Sequence, residues 1–147
     1  MKKYEFTGET KQVGFFGNIT LKRIRATMEF GIIKIGDLGG WIEKEENLSH
    51  KGDAWVWGNA KVCGNAEVFS ISHVLVVGPI GSRNDFTTFF RDKDSEITVK
   101  CGCFLGKIDK FLEKVCETHG DSKYAIVYRT AAEIAKQQID LSEEKQL

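Results

Sequence analysis

Proline is nearly missing from this chain, with Pro79 alone among 147 residues, so its turns have to come from fifteen glycines. That balance marks turns and short strands more than long helices. Histidine is scarce as well: His50, His73 and His119 are the whole supply, which confines histidine chemistry to three positions. A charge of one sign is also absent, because 21 basic residues meet 21 acidic ones. No overall field then draws the chain to nucleic acid or an anionic membrane, and any anion site must be a local cluster. No stretch reaches the roughly 18–20 apolar residues of a membrane span, and Met1-Lys2-Lys3-Tyr4-Glu5 turns polar before an apolar run of signal-peptide length. The expected location is the cytosol, with no membrane partner. The length suits one domain, or two small units sharing a core.

Cysteine is present at Cys63, Cys101, Cys103 and Cys116. Without an export signal the expectation is free thiols in a reducing compartment. Cys101-x-Cys103 with Cys116-x-x-His119 offers four zinc-type ligands, but the first gap is tighter than the usual spacing. Core packing, with Cys116 on the apolar face of a helix, is the preferred reading, and no metal or cofactor is expected.

The most regular feature is "GDAWVWGNAKVCGNAEVF", Gly52 to Phe69, which repeats Gly-Asp/Asn-Ala-x-Val-x every six residues. At this period Ala54, Ala60, Ala66 and Val56, Val62, Val68 fall on one side, while Trp55, Lys61 and Glu67 point away. The Gly-Asp/Asn pairs suit corners, since both types tolerate positive φ. Hexapeptide periodicity is the sequence mark of a β-helix. The expected fold is therefore mainly β with α: a short hexapeptide solenoid over residues 1–72, joined to a small α+β module over 73–147. Before the repeat, "NITLKRIRATMEF" and "GIIKIGDLGGWI" read as strands carrying Ile19, Leu21, Ile24, Ala26, Ile32, Ile33, Ile35 and Ile42.

After the repeat, "SHVLVVGPIGS" reads as a buried strand ending in a glycine turn, and "DFTTFFRDKDSEITVKCGCF" as a hairpin with Asp92 to Ser95 at its tip. Ile108, Phe111, Leu112, Val115 and Cys116 give a helix over about 107–119, stopped by Gly120. Asp121 or Ser122 caps a second helix, whose apolar face is Tyr124, Val127, Tyr128, Ala131, Ile134, Ala135 and Gln138. The tail after Ile139 is polar and expected to fray.

Two strings carry a resemblance. "GGWIEKEENLSHKGDAWVWGNAKVCGNAEVF" resembles the opening of bacterial and prophage hexapeptide-repeat proteins of the transferase-like type, the likeness running from about Leu21 to Phe69. "GPIGSRNDFTTFF" is similar to a C-terminal module beside such repeats in phage and prophage proteins. The first implies a β-helical half; the second implies a mobile-element origin and no particular activity. A trimer is the expected assembly, because a coil this short leaves flat apolar sides that cannot all be buried within one chain. In an assembled trimer Trp41, Trp55 and Trp57 would be contact residues.

The densest polar cluster is "GPIGSRNDFTTFFR". Gly78 and Gly81 let backbone approach a ligand, and Ser82, Arg83, Thr87 and Arg91 can hold a phosphate. Asn84 and Asp85 can read a base or ribose edge, while Phe86, another phenylalanine of the segment or Tyr128 can stack on it. The competing reading is a structural turn with its arginines paired to carboxylates. The spacing is not that of a Walker motif, and neither paired carboxylates nor a Ser-His-Asp set can be singled out. Lys22, Arg23 and Arg25 read as a solvated strand edge, so nucleic acid is not an expected partner. With the resemblance, the expected function is non-enzymatic: a phage-type homo-oligomer that binds a small anionic, nucleotide-like ligand through Ser82 to Arg91. The expected use is as a sponge for a cyclic nucleotide or cyclic ADP-ribose type signal of host defence. The alternatives are a transferase-like enzyme using His73 or His119 as base, and a purely structural trimerisation module.

Overall fold

The computed structural model describes residues 1–142 and 144; the polar tail expected beyond Ile139 falls largely outside them. The N-terminal sheet has the order β1 (Tyr4–Val13), β2 (Ile19–Ala26), β3 (Leu38–Ile42) and β4 (Lys61–Val62). Its first two pairings are antiparallel and the last is parallel. The second sheet is an antiparallel meander of β5 (Val74–Ile80), β6 (Asp85–Arg91), β7 (Ile97–Cys101) and β8 (Phe104–Lys107). Two helices follow, α1 (Ile108–His119) and α2 (Lys123–Gln138). Mainly β with α is what the chain forms. Sequence patterning missed β1 and β8, and the isoleucine-rich stretch at 32–35 is not a strand: Ile32 and Ile35 are exposed there.

The expected solenoid is not formed. The described residues hold two separate four-stranded sheets, and within the repeat only Lys61–Val62 is a strand. A β-helix is stable when several turns stack to bury a continuous core, and this single short run has parallel neighbours on one side only. There, Gly40 N–H donates to Val56 O at 2.8 Å, Glu43 N–H to Val62 O at 3.1 Å and Ser49 N–H to Val68 O at 2.8 Å. The other side meets the second sheet, where Lys61 N–H donates to Thr88 Oγ1 at 3.0 Å and Glu67 N–H to Arg91 O at 3.0 Å.

The six alanines and valines of the repeat are buried as their period requires. Trp55 is buried too, at 1% exposure, and packs edge-on to Phe30, which corrects its reading as an outward contact residue. The reason is local: Asp53 to Trp57 is not a regular strand, so alternation of faces does not hold there. The Gly39-Gly40 pair now has a cause. A Cβ on Gly40 would meet the backbone oxygens of Trp57 and Ala60, the latter at 2.7 Å, and one on Gly39 would meet Val56 O at 2.9 Å. Only glycine lets β3 lie this close to the repeat.

The first core gathers Tyr4, Ile24, Ile42, Leu48, Trp55 and the repeat's alanines and valines. The start of β1 is pinned to it. The Tyr4 hydroxyl donates to Leu48 O at 2.7 Å, and the buried Lys3 ammonium donates to Ala54 O at 2.6 Å. Burial pulls the Lys3 pKa down to about 8, against a smaller pull upward from Asp53.

Strand β6 is buried on both faces: Phe90 belongs to the first core and Phe89 to a second. That second core lies under the helices, with Phe89, Val99, Phe111, Val115 and the alanines of α2. Gly120, at φ 56, ends α1, and the Ser122 hydroxyl caps α2 by accepting from Ala125 N–H. The face α2 buries is turned part-way from the expected one: Tyr128, Ala131 and Ala135 pack on the core as read, but Ala125 and Ala132 join them in place of Val127 and Ile134, which are exposed. Small side chains let a helix approach a sheet closely, so the alanine stripe outcompetes the bulkier one.

Replacing Gly40 by Ala forces backbone apart and is expected to cost about 2 kcal/mol or more, whereas Gly58→Ala, with open space around it, stays near wild type. Urea unfolding of the two variants checks this; equal midpoints would contradict the packing given for Gly40.

Candidate functional site

A cleft of about 360 Å³ opens between the second sheet and its helices. Three turns and both helices build it. The β5–β6 turn supplies Ser82, Arg83 and Asp85; this turn is closed by Asn84 N–H donating to Gly81 O at 3.2 Å, with Asn84 at φ 50. The β7–β8 turn supplies Gly102 and Cys103, flanked by Cys101 and Phe104, and α1 supplies Lys114, Thr118 and His119. Tyr128 comes from α2, and Phe15 reaches in from the β1–β2 turn.

Arg83 and Lys114 bring two positive charges to this cleft and Asp85 one negative charge, so its polar balance favours an anion. The walls are aromatic. His119 stacks on Tyr128 with ring centroids 5.6 Å apart, and Phe111 meets Tyr128 edge-on at 5.7 Å. The Tyr128 hydroxyl lies against Gly81, where a Cβ would collide with it, so the glycine is a space requirement as well as a turn residue at φ 81. Burial, then the Cys101 thiol and Asp85, push the Tyr128 pKa up to about 12, with Arg83 opposing. Tyr128 therefore stays a neutral phenol that can donate a hydrogen bond. The Thr87 hydroxyl donates to Cys101 Sγ at 3.4 Å, one layer beneath the cleft wall.

Of the residues singled out in the sequence, Ser82, Arg83, Asp85 and Tyr128 meet at this cleft. Asn84 sits in the exposed turn, Phe86 packs against Gly78, and Thr87 is buried beneath. Arg91 is a correction. It is buried away from the cleft, donating to Ser95 Oγ at 3.0 Å and Asp140 O at 3.4 Å and lying over the Phe69 ring. It ends β6, whereas the cleft lies at the start of that strand beside Asp85, a separation along the strand that the compact string of polar residues hides. Sequence reading missed Phe15, Cys103, Lys114 and Thr118. Lys114 and Thr118 stand four apart on one helix face, a spacing that marks them only once the partner turns are known.

His73 is fully buried, with Nδ1 3.1 Å from Phe69 N and Nε2 3.4 Å from Arg91 Nη1. It has no access to a substrate, which removes it as a catalytic base. The cysteines also part company. Cys63 is buried, and that burial pushes its thiol up to about 11, whereas Cys103 and Cys116 are exposed, Cys116 contrary to its expected place on the apolar face of α1. Lys22, Arg23 and Arg25 lie on β2, an interior strand rather than an edge. Arg23 and Arg25 pair with Glu9 and Glu5, and Lys22 donates to Glu43 O, so this run is occupied within its own sheet.

Among the described residues the cluster of metal-ligand type is Asp92, Asp94 and Glu96, at the tip of the β6–β7 hairpin. The Lys107 ammonium fills it, at 2.7, 2.8 and 3.0 Å from the three carboxylates. Asp92 also accepts from Thr98 Oγ1 at 2.6 Å. Burial raises the Asp92 carboxyl, but Lys107, Thr98 and two backbone N–H groups outweigh it and hold the pKa below its usual value. This is an internal ion-pair network that closes the hairpin.

No family model matches this chain. It is 29% identical over 84 residues to the uncharacterized acetyltransferase YdcK of Escherichia coli (strain K12), a match spanning 49% of this chain and 26% of that protein. The chain thus covers about a quarter of the length of the curated relative it matches. No helix among the described residues is long and apolar enough to cross a membrane.

Because the folded pKa of Asp92 is depressed, its contribution to stability is present above the unfolded value of about 3.9 and is lost as pH falls through the lower folded value. Lys107→Met is expected to cost about 1–2 kcal/mol at pH 7, a figure held down by the partial exposure of Lys107. The gap from wild type should narrow below about pH 4 as carboxylates protonate. Thermal unfolding of both proteins at pH 7 and pH 3 reads this directly.

Proposed function

We propose that the protein binds a small anionic ligand carrying a planar ring, of the nucleotide class, in the cleft between the second sheet and its helices. The observation that carries this reading is the convergence of Arg83 and Lys114 on one aromatic-walled cavity, with the Ser82 and Thr118 hydroxyls beside them. Arg presents a planar fork of donors to phosphate oxygens, and Lys a compact charge. Phe104 and the Tyr128–His119 stack offer the ring a face to lie on. The turn residues Asn84 and Asp85 remain available for ribose or base edges, whereas Arg91 has no part.

Binding without chemistry is the form we favour, because the buried His73 leaves His119 as the one imidazole at the cleft. Sequestration of a nucleotide signal of host defence rests on the sequence resemblance to phage proteins alone. The trimer rests on apolar sides of the coil left bare in one chain, a motive weakened by the burial of the repeat's alanines, valines and Trp55 within this chain.

The acetyltransferase name of the E. coli relative supports a second reading, group transfer with His119 as base. Against it stands the short overlap, since most of that protein's length has no counterpart in this match. The two readings differ in whether the ligand returns altered. Turnover of an acyl-CoA donor that disappears in His119→Ala would establish transfer.

Calorimetry with a panel of nucleoside monophosphates, cyclic dinucleotides and cyclic ADP-ribose should find a binder, and Arg83→Ala and Lys114→Ala should each weaken it by about ten-fold or more. The bound ligand should slow thiol-reagent attack on Cys103, which lines the cleft, and leave Cys116, outside that lining, unchanged. Silence across the panel would remove the binding reading.

A further inference from the structure

The turn joining β1 to β2 carries Phe15 and Phe16 between two glycines. Gly14 at φ 95 and Gly17 at φ 65 take positive φ, and Gly17 N–H donates to Gly14 O at 3.1 Å. Both phenylalanines stand in solvent, at 78% and 85% exposure, with their rings edge-on 4.9 Å apart. Most of β1 beyond Thr7 is polar and exposed, so nothing in its own sheet covers this pair. Two bare aromatics at a hairpin tip leave apolar area in water that folding alone would remove by a polar substitution.

One of the pair has a second relationship. Phe15 lines the cleft, and it is the single lining residue from the N-terminal sheet; the others come from the second sheet, its turns and the helices. It therefore stands at the mouth as a wall made by a different part of the chain. Within the same cleft lies the stack of Tyr128 and His119, their planes within 29° of each other. A flat ring entering between Phe15 and that stack would be covered by aromatic surface, with Arg83 and Lys114 left for its phosphate.

We infer that Phe15 is a specificity-determining residue of the cleft, closing an aromatic clasp on the base of a nucleotide and so selecting base-bearing phosphates over phosphates without a ring. This rests on the binding function proposed above. The clasp contributes stacking area and the cations contribute charge, so the two can be separated by removing either the base from the ligand or the ring from the protein.

The experiment is calorimetry of wild type, Phe15→Ala, Phe15→Trp and Phe16→Ala with adenosine monophosphate and with ribose 5-phosphate. Wild type should prefer the nucleotide. Phe15→Ala should lose roughly ten-fold in affinity for the nucleotide, a typical effect of removing one stacking aromatic, and leave ribose 5-phosphate unchanged. Phe15→Trp should restore the preference, while Phe16→Ala, a neighbour outside the cleft lining, should have little effect. Circular dichroism checks that the exposed-tip variants keep the fold. Nucleotide binding equal in wild type and Phe15→Ala would overturn the clasp and leave the site standing; so would equal losses for both ligands. Wild type that binds neither ligand would overturn the clasp, and silence across the wider nucleotide panel as well would overturn the site.

Discussion

Strand β6 has to be buried on both faces, and the architecture follows from that requirement. Phe90 closes the core beneath the repeat, Phe89 opens the core beneath the helices, and Thr88 accepts a hydrogen bond from the repeat's own backbone at Lys61. A strand covered on both sides must satisfy its polar groups internally, which it does through β5 and β7 along its edges and through Thr88 toward the repeat. Its two ends then differ in character. At one end Asp92 and Lys107 lock the hairpin; at the other the chain leaves the sheet in the Gly81 to Asn84 turn, free to present polar side chains.

The cleft is a consequence of that second end. The turn after β5, the turn after β7 and the end of α1 lie at one margin of the sheet, where packed layers give way to solvent. Arg83, Cys103 and His119 thus become neighbours although they are widely separated along the chain. Gly81 and Tyr128 fit against each other there, and this contact fixes α2 relative to the turn that carries Arg83. A rigid floor with charges at its rim is the form a small-ligand site commonly takes.

Much of this was legible in the sequence, though unevenly. The six-residue period identified the buried alanines and valines, because burial of small side chains depends on spacing alone. The same period misassigned Trp55 and implied a solenoid, since repetition says nothing about what covers the outer sides of a single turn. The string Ser82 to Arg91 pointed to the right neighbourhood for Ser82, Arg83 and Asp85, and mixed in Arg91, which lies at the opposite end of the same strand from the cleft. Phe15 went unnoticed because an aromatic pair beside glycines looks like ordinary hairpin core until its exposure is known.

By itself the sequence determined the local elements: glycine-bounded turns, the β-rich class, two helices with a stop at Gly120 and a cap at Asp121 or Ser122, and the inward residues of the repeat. These depend on φ preferences, capping and periodicity, which act over a few residues. Tertiary structure alone decided how far the buried face of α2 is turned toward Ala125 and Ala132, where β1 and β8 pair, that Lys107 sits among the three carboxylates, and that Phe15, Tyr128 and Arg83 line one cleft. Those outcomes depend on contacts between segments far apart in the chain, where packing and the pairing of buried polar groups outweigh any local preference.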